Sequence, residues 1–104
     1  MKTIKGLFLS ILLIFTASIS AAKVQTGIEV LRADGFKLLE GKRVGLTTNP
    51  TGVDSNLKST IDILWEAENV NLVALYGPEH GVRGNVHAGD VVDNEVDKKT
   101  GLKM

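Results

Sequence analysis

The segment Val70-Asn71-Leu72-Val73-Ala74-Leu75-Tyr76 is almost continuously apolar and includes β-branched valines. Such a run is typical of a strand that is buried on both faces of a parallel sheet. A shorter strand candidate, Arg43-Val44-Gly45-Leu46-Thr47, precedes it, and between the two lies a helix candidate that Ser59 is placed to cap. A strand, a helix and a second strand with short connections predict a parallel βαβ unit and therefore an α/β fold.

Two helices are expected around these strands. In the helix after Ser59, residues Ile61, Leu64 and Trp65 recur at helical spacing, which predicts that Trp65 belongs to the core. An earlier helix begins at Thr26-Gly27-Ile28-Glu29, a sequence that fits a capping box, and Gly35 is placed to end or bend it.

The N-terminus has the features of a cleavable secretory signal peptide. Lys2 and Lys5 form a positive region, an apolar run follows over residues 6–19, and Ser20-Ala21-Ala22 offers small side chains for a cut before Lys23. A membrane anchor is the alternative, but it needs roughly 20 apolar residues, whereas this run has about 14. The sequence predicts a signal peptide over residues 1–22, export to the periplasm or the exterior, and no stable membrane anchor after cleavage.

The composition narrows the classes of protein to which the chain can belong. The formal net charge is zero, and the basic pairs Lys42-Arg43 and Lys98-Lys99 are isolated, so a nucleic-acid partner is not expected. The chain has no cysteine, which excludes a lipoprotein and leaves a small exported domain without disulfides. Residues 23–104 would make a marginal core alone. We therefore expect them to be the N-terminal part of a longer protein and inactive in isolation.

Polar loops follow both predicted strands, where ligands of open parallel sheets collect. The first is Thr47-Thr48-Asn49-Pro50-Thr51-Gly52 and the second is Gly77-Pro78-Glu79-His80-Gly81-Val82-Arg83-Gly84. The second loop combines a carboxylate, an imidazole and a guanidinium, which together can donate a proton, form hydrogen bonds and supply positive charge. The alternative is a solvated loop in which Glu79 and Arg83 form a surface ion pair worth under about 1 kcal/mol.

Neither a metal nor an organic cofactor is predicted. Glu79, His80, His87 and Asp90 could bind a metal, but the adjacent Glu79 and His80 do not easily face one ion, and the spacings of common zinc sites do not occur. The second loop lacks the Gly-Lys-Ser/Thr ending of a phosphate-binding loop, and the chain has no Gly-x-Gly-x-x-Gly signature.

Several segments, taken in order, resemble the N-terminal part of the exo-β-N-acetylmuramidases of the NamZ type, a family long catalogued as a domain of unknown function. The resemblance covers nearly all of residues 23–104, and its two loop motifs are long and specific. The matching segments are Gly27-Ile28-Glu29-Val30-Leu31, residues 41–54, Pro78-Glu79-His80-Gly81-Val82-Arg83-Gly84, Ala88-Gly89, Asp97 and Thr100-Gly101-Leu102.

The resemblance implies a glycosidase that releases N-acetylmuramic acid from the non-reducing ends of peptidoglycan fragments. It implies a Rossmann-like N-terminal domain, of which residues 23–104 would be a truncated part, and a smaller C-terminal domain. Glu79 would be the catalytic acid, since glycoside cleavage needs a carboxylic acid to protonate the leaving oxygen. Arg83 would bind the lactyl carboxylate of the sugar, and His80 and Asn49 its hydroxyls or acetamido group. A non-catalytic carbohydrate-binding or structural α/β module is the alternative.

Overall fold

The computed structural model describes residues 22–78, 80–85, 87, 89–90 and 95–104, so the predicted signal peptide lies almost wholly outside the described residues. The described elements confirm the predicted α/β arrangement. No described helix has the length and apolar character that crossing a membrane requires. In chain order the elements are α1 (Gly27–Ala33), a short 3₁₀ turn (Lys37–Leu39), β1 (Arg43–Thr47), α2 (Thr60–Glu66) and β2 (Asn71–Tyr76).

β1 and β2 lie side by side and run parallel, as predicted. Their register shifts between Val44 and Gly45, and Thr47 then pairs with Tyr76 at the carboxyl ends of both strands. Backbone pairing continues one residue further, because the Thr48 N–H donates to the Tyr76 carbonyl at 2.9 Å. The loops that follow the two strands therefore start from the same edge of the sheet.

α2 begins where the sequence predicts, with the Ser59 hydroxyl accepting a hydrogen bond from the Ile61 N–H at 3.2 Å. The prediction that Trp65 belongs to the core is wrong, because 44 % of this residue is exposed. Ile61, Ile63 and Leu64 are the buried residues of α2. Successive helical residues are rotated by about 100°. With Ile63 buried, the centre of the buried face lies on one side of Ile61, and Trp65 lies on the other.

β2 is only partly buried among the described residues. Leu72 and Leu75 are buried, whereas the strand ends, Asn71 and Tyr76, are exposed. The strand itself is confirmed, but the predicted burial on both faces holds only for its central part. The small core unites β2 with α2 and with side chains from the flanking turns, and its members are Phe36, Ile61, Ile63, Leu64, Leu72, Leu75 and Val82.

α1 has the predicted capping box. The Glu29 carboxylate accepts from the Thr26 N–H at 2.7 Å and also from the Ser55 hydroxyl. These hydrogen bonds, that of Ser55 first, lower the pKa of Glu29 to about 2. The helix ends at Ala33, and Gly35 adopts a left-handed conformation with φ +68°, which glycine tolerates without steric cost.

Residues 95–104 form a tight turn that returns to β2. The Asp97 N–H donates to the Leu102 carbonyl at 2.8 Å, and the Gly101 N–H donates to the Asp97 carbonyl at 2.7 Å. The Leu75 N–H in turn donates to the Lys103 carbonyl at 3.0 Å. The turn is thereby attached to β2, and its Lys99 reaches Asp62 in the first turn of α2.

Candidate active site

The two loops that leave the carboxyl ends of β1 and β2 meet at one cleft. The cleft has a volume of about 390 Å³. Asn49 and His80, both proposed from the sequence as sugar-binding residues, therefore lie on the same cavity although they belong to different loops. The described residues that line it are Asn49, Pro50, Thr51, Pro78, His80 and Gly81.

The side chain of Asn49 is oriented by its own loop. Its Oδ1 atom accepts from the Thr51 N–H at 3.1 Å and from the Thr51 hydroxyl at 2.8 Å. Because a backbone N–H can only donate, the amide atom that faces Thr51 must be the acceptor Oδ1. Nδ2 makes no hydrogen bond to another described residue, so Asn49 can offer donors to a ligand oxygen in the cleft.

The proposed acid, Glu79, lies outside the described residues. Its chain neighbours Pro78 and His80 both line the cleft, and the Gly81 N–H donates to the Pro78 carbonyl at 2.8 Å. The described residues on either side of Glu79 therefore belong to a tight turn at the cleft.

Glycines allow the second loop to fold closely on itself and against the first loop. A Cβ atom on Gly77 would lie 2.8 Å from the Val82 backbone nitrogen and 2.9 Å from the Gly81 carbonyl carbon. A Cβ atom on Gly84, whose φ is +76°, would lie 2.9 Å from Cγ of Pro50 in the first loop. All three distances are shorter than real Cβ atoms show, so the loop geometry depends on the absence of a side chain at positions 77 and 84.

Arg83 is paired with carboxylates that the sequence analysis did not connect to it. Its Nε donates to Asp97 Oδ1 at 2.6 Å and its Nη2 to Asp97 Oδ2 at 3.1 Å, a bidentate contact. Nη2 also donates to Asp62 Oδ1 at 3.0 Å, and Lys99 Nζ donates to Asp62 Oδ2 at 2.6 Å. These four side chains form one ion-pair cluster. It joins the second loop, α2 and the turn at residues 95–104.

Both carboxylates of the cluster are stabilised in their ionised form. The hydrogen bonds from Arg83, followed by those from Thr100, outweigh the effect of burial and lower the pKa of Asp97 to about 2. Burial raises the pKa of Asp62, but hydrogen bonds from Lys99 and Arg83 outweigh it, so the net shift is downward. Pairing with Asp97 correspondingly raises the pKa of the Arg83 guanidinium.

This cluster predicts a specific loss of stability in acid. Asp97 has a pKa of about 2 when folded and 3.8 in its unperturbed state, so its contribution is complete above about pH 4 and is lost as the pH falls towards 2. The shift corresponds to about 2 kcal/mol. Urea unfolding between pH 7 and pH 2 should give wild-type protein a steeper decline below pH 4 than the Asp97→Asn variant. Equal slopes for the two proteins would contradict this role of Asp97.

A second buried carboxylate, Asp54, holds the first loop against α1. Its Oδ2 accepts from Arg32 Nη2 at 2.8 Å, while Oδ1 accepts from the Asn56 and Lys58 N–H groups, each at 2.9 Å. The Lys58 hydrogen bond, followed by that of Arg32, lowers the pKa of Asp54. Asp54 closes the first motif of the resemblance, but its position there does not indicate which side chain it pairs with.

The described residues contain no group of three or more potential metal ligands. His87 and Asp90 are joined locally, with the His87 N–H donating to Asp90 Oδ2 at 3.2 Å. Both residues are exposed, and neither lines the cleft between the two loops.

The fold and the cleft define an α/β protein with a candidate ligand site at the carboxyl edge of parallel strands. The family described as exo-β-N-acetylmuramidase NamZ, N-terminal, matches residues 44–104. The chain therefore belongs to this family, which confirms the resemblance found in the sequence.

Two relatives extend the comparison. The peptidoglycan β-N-acetylmuramidase NamZ of Bacillus subtilis (strain 168) is 58% identical over 82 residues, which are 79% of this chain and 20% of that protein. The crystal structure of a DUF1343 family protein from Bacteroides fragilis NCTC 9343 is 70% identical and has a TM-score of 0.66, over 75% of this chain and 18% of that one. The chain thus spans about one fifth of the length of these relatives.

Proposed function

We propose that the full-length protein is an exo-acting glycosidase that releases N-acetylmuramic acid from the non-reducing ends of peptidoglycan fragments, in cell-wall turnover and recycling. The observation that carries the proposal is that both family motifs meet at one cleft, at the carboxyl edge of the sheet. The similarity to a peptidoglycan β-N-acetylmuramidase supports the choice of substrate.

The residues of the cleft suit a sugar ligand. Asn49 Nδ2 can donate to an acceptor, such as the carbonyl oxygen of an acetamido group, because Oδ1 is occupied by Thr51. His80 lies on the same cavity and can hydrogen-bond to a hydroxyl group. Glu79, between Pro78 and His80 in the chain, would supply the proton that the leaving oxygen requires.

The proposal is tested with the full-length protein and two chromogenic substrates, an N-acetylmuramide and the matching N-acetylglucosaminide, which lacks the lactyl group. Turnover of the muramide, with release of free N-acetylmuramic acid from longer fragments, is the expected result. Binding of muramic-acid saccharides without turnover would instead support a non-catalytic carbohydrate-binding module. If the protein neither binds nor cleaves these saccharides, both assignments are refuted and a structural role remains.

We further propose that the protein is exported, with cleavage after Ala22. The positive N-terminus, the short apolar run and the small residues before Lys23 support this assignment. N-terminal sequencing of the protein from its native cells should begin at Lys23. A protein that retains Met1 and sediments with membranes would contradict export by cleavage.

A further inference from the structure

The donors of Arg83 are largely committed within the protein. Nε and Nη2 together make three hydrogen bonds, two to Asp97 and one to Asp62, at 2.6 to 3.1 Å. The Asp97 side chain is only 4% exposed and that of Asp62 only 13%, so these are not solvated surface pairs. Of the five guanidinium N–H groups, only those on Nη1 remain for another partner.

The surroundings of Arg83 also do not favour an anionic ligand. Arg83 and Lys99 contribute two positive charges to the cluster, and Asp62 and Asp97 contribute two negative charges that hydrogen bonding keeps ionised. The cluster is therefore neutral, and a carboxylate that approached Arg83 would also meet two carboxylates already bound there.

Arg83 does not border the cleft that Asn49 and His80 share. It borders instead a hollow of about 310 Å³, together with Asp97 and Lys99, and another of about 340 Å³ that Pro50 of the first loop also lines.

We propose that Arg83 is a positioning residue, which fixes the described residues of the loop 77–84, on either side of Glu79, by joining that loop to Asp62 of α2 and to Asp97 of the turn at residues 95–104. It does not bind the lactyl carboxylate. This inference, which rests on the proposed function, replaces the role that the family resemblance implies for Arg83. It accounts for the partly buried, bidentate geometry, which a mobile substrate-binding arginine does not require.

The test compares two chromogenic substrates of the full-length protein, the N-acetylmuramide with a free lactyl carboxylate and the same muramide with that carboxylate methyl-esterified. Arg83→Ala should lower kcat by about 10²-fold on both substrates, since a small misplacement of a catalytic group costs about this factor. The ratio of kcat/KM between the two substrates should stay within about twofold of the wild-type ratio. If the ester is not turned over, the inhibition constants of free N-acetylmuramic acid and its methyl ester compare the binding of the two forms, and their ratio should likewise stay within about twofold of the wild-type ratio.

Two further variants keep the test decisive if Arg83→Ala does not fold. Asp97→Asn should reproduce the loss of kcat, although Asp97 cannot attract a carboxylate. Arg83→Lys keeps the charge but loses the bidentate fork, so it should remain impaired on both substrates.

A different pattern overturns the inference. If Arg83→Ala raises KM more than tenfold for the free acid alone, while Asp97→Asn behaves as wild type, Arg83 binds the lactyl carboxylate. Failure of the wild-type protein to cleave either substrate would instead refute the proposed function, and the two failures are therefore distinguishable. In that case the inference falls with it.

Discussion

Replacing Glu79 by glutamine in the full-length protein is expected to reduce turnover of a muramic-acid glycoside by at least about 10²–10⁴-fold, the usual contribution of general acid catalysis. Glutamine is nearly isosteric with glutamate and retains hydrogen-bonding capacity, so the substitution removes proton donation with little effect on packing. Steady-state kinetics on a muramic-acid disaccharide measure the loss, and thermal unfolding shows whether the fold is retained.

A matched control for this variant is Glu68→Gln. Glu68 is an exposed carboxylate in the turn between α2 and β2, at the opposite end of β2 from the cleft. The same chemical change there should leave turnover and stability near their wild-type values. Near-normal turnover of a muramic-acid disaccharide by Glu79→Gln would exclude Glu79 as the acid, whereas equal losses in both variants would point to a general effect of the lost charge.

A further comparison concerns leaving groups. A good leaving group, such as a nitrophenolate, needs little protonation, whereas the hydroxyl of a second sugar needs full protonation as it departs. Glu79→Gln should therefore be more defective on a disaccharide than on the chromogenic substrate. A defect of equal size on both would assign Glu79 to a step other than protonation of the leaving group.

Local sequence signals located the elements of this fold well. The bounds predicted for β1 are those observed, β2 begins one residue later than predicted, and Ser59 caps α2. These features depend on hydrophobic runs and on hydrogen bonds between residues two to four positions apart, which a single sequence displays directly. The position of both loops at one edge follows from the parallel pairing that the sequence predicts, and Asn49 and His80 line one cleft there.

Long-range pairing of charges was not visible in the same way. Arg83 lies 21 residues after Asp62 and 14 residues before Asp97, and no periodicity connects these positions. In the sequence, Asp97 stands out only as part of a family motif, and no local pattern connects Asp62 to Arg83. Their role depends on how the C-terminal turn packs against α2, which is a property of the tertiary structure. The exposure of Trp65 has a similar origin, because Ile63 decides which face of α2 is buried.

Introducing a methyl group at Gly77 should also impair the protein strongly, through geometry instead of chemistry. The new Cβ atom would lie 2.8 Å from the Val82 nitrogen and 2.9 Å from the Gly81 carbonyl carbon, and both neighbours are backbone atoms of the loop. The loop must therefore shift, at a cost of about 1–3 kcal/mol, which is typical of overpacking. Since the loop carries Glu79, we expect Gly77→Ala to lower kcat by about 10²-fold, the usual effect of a 1 Å misplacement. Kinetics on the chromogenic muramide and urea unfolding measure the two effects.

Gly27→Ala is the matched control for this substitution. A Cβ atom on Gly27 meets nothing within 4 Å, and the residue is the first of α1, where alanine is a better helix former than glycine. The control should therefore be neutral or slightly stabilising, with unchanged turnover. If Gly77→Ala is as active and as stable as Gly27→Ala, the loop at residues 77–84 accepts the added methyl group without displacement. Its close packing would then not be what holds Glu79 in place, and positioning of the acid would depend on the contacts of Arg83 instead.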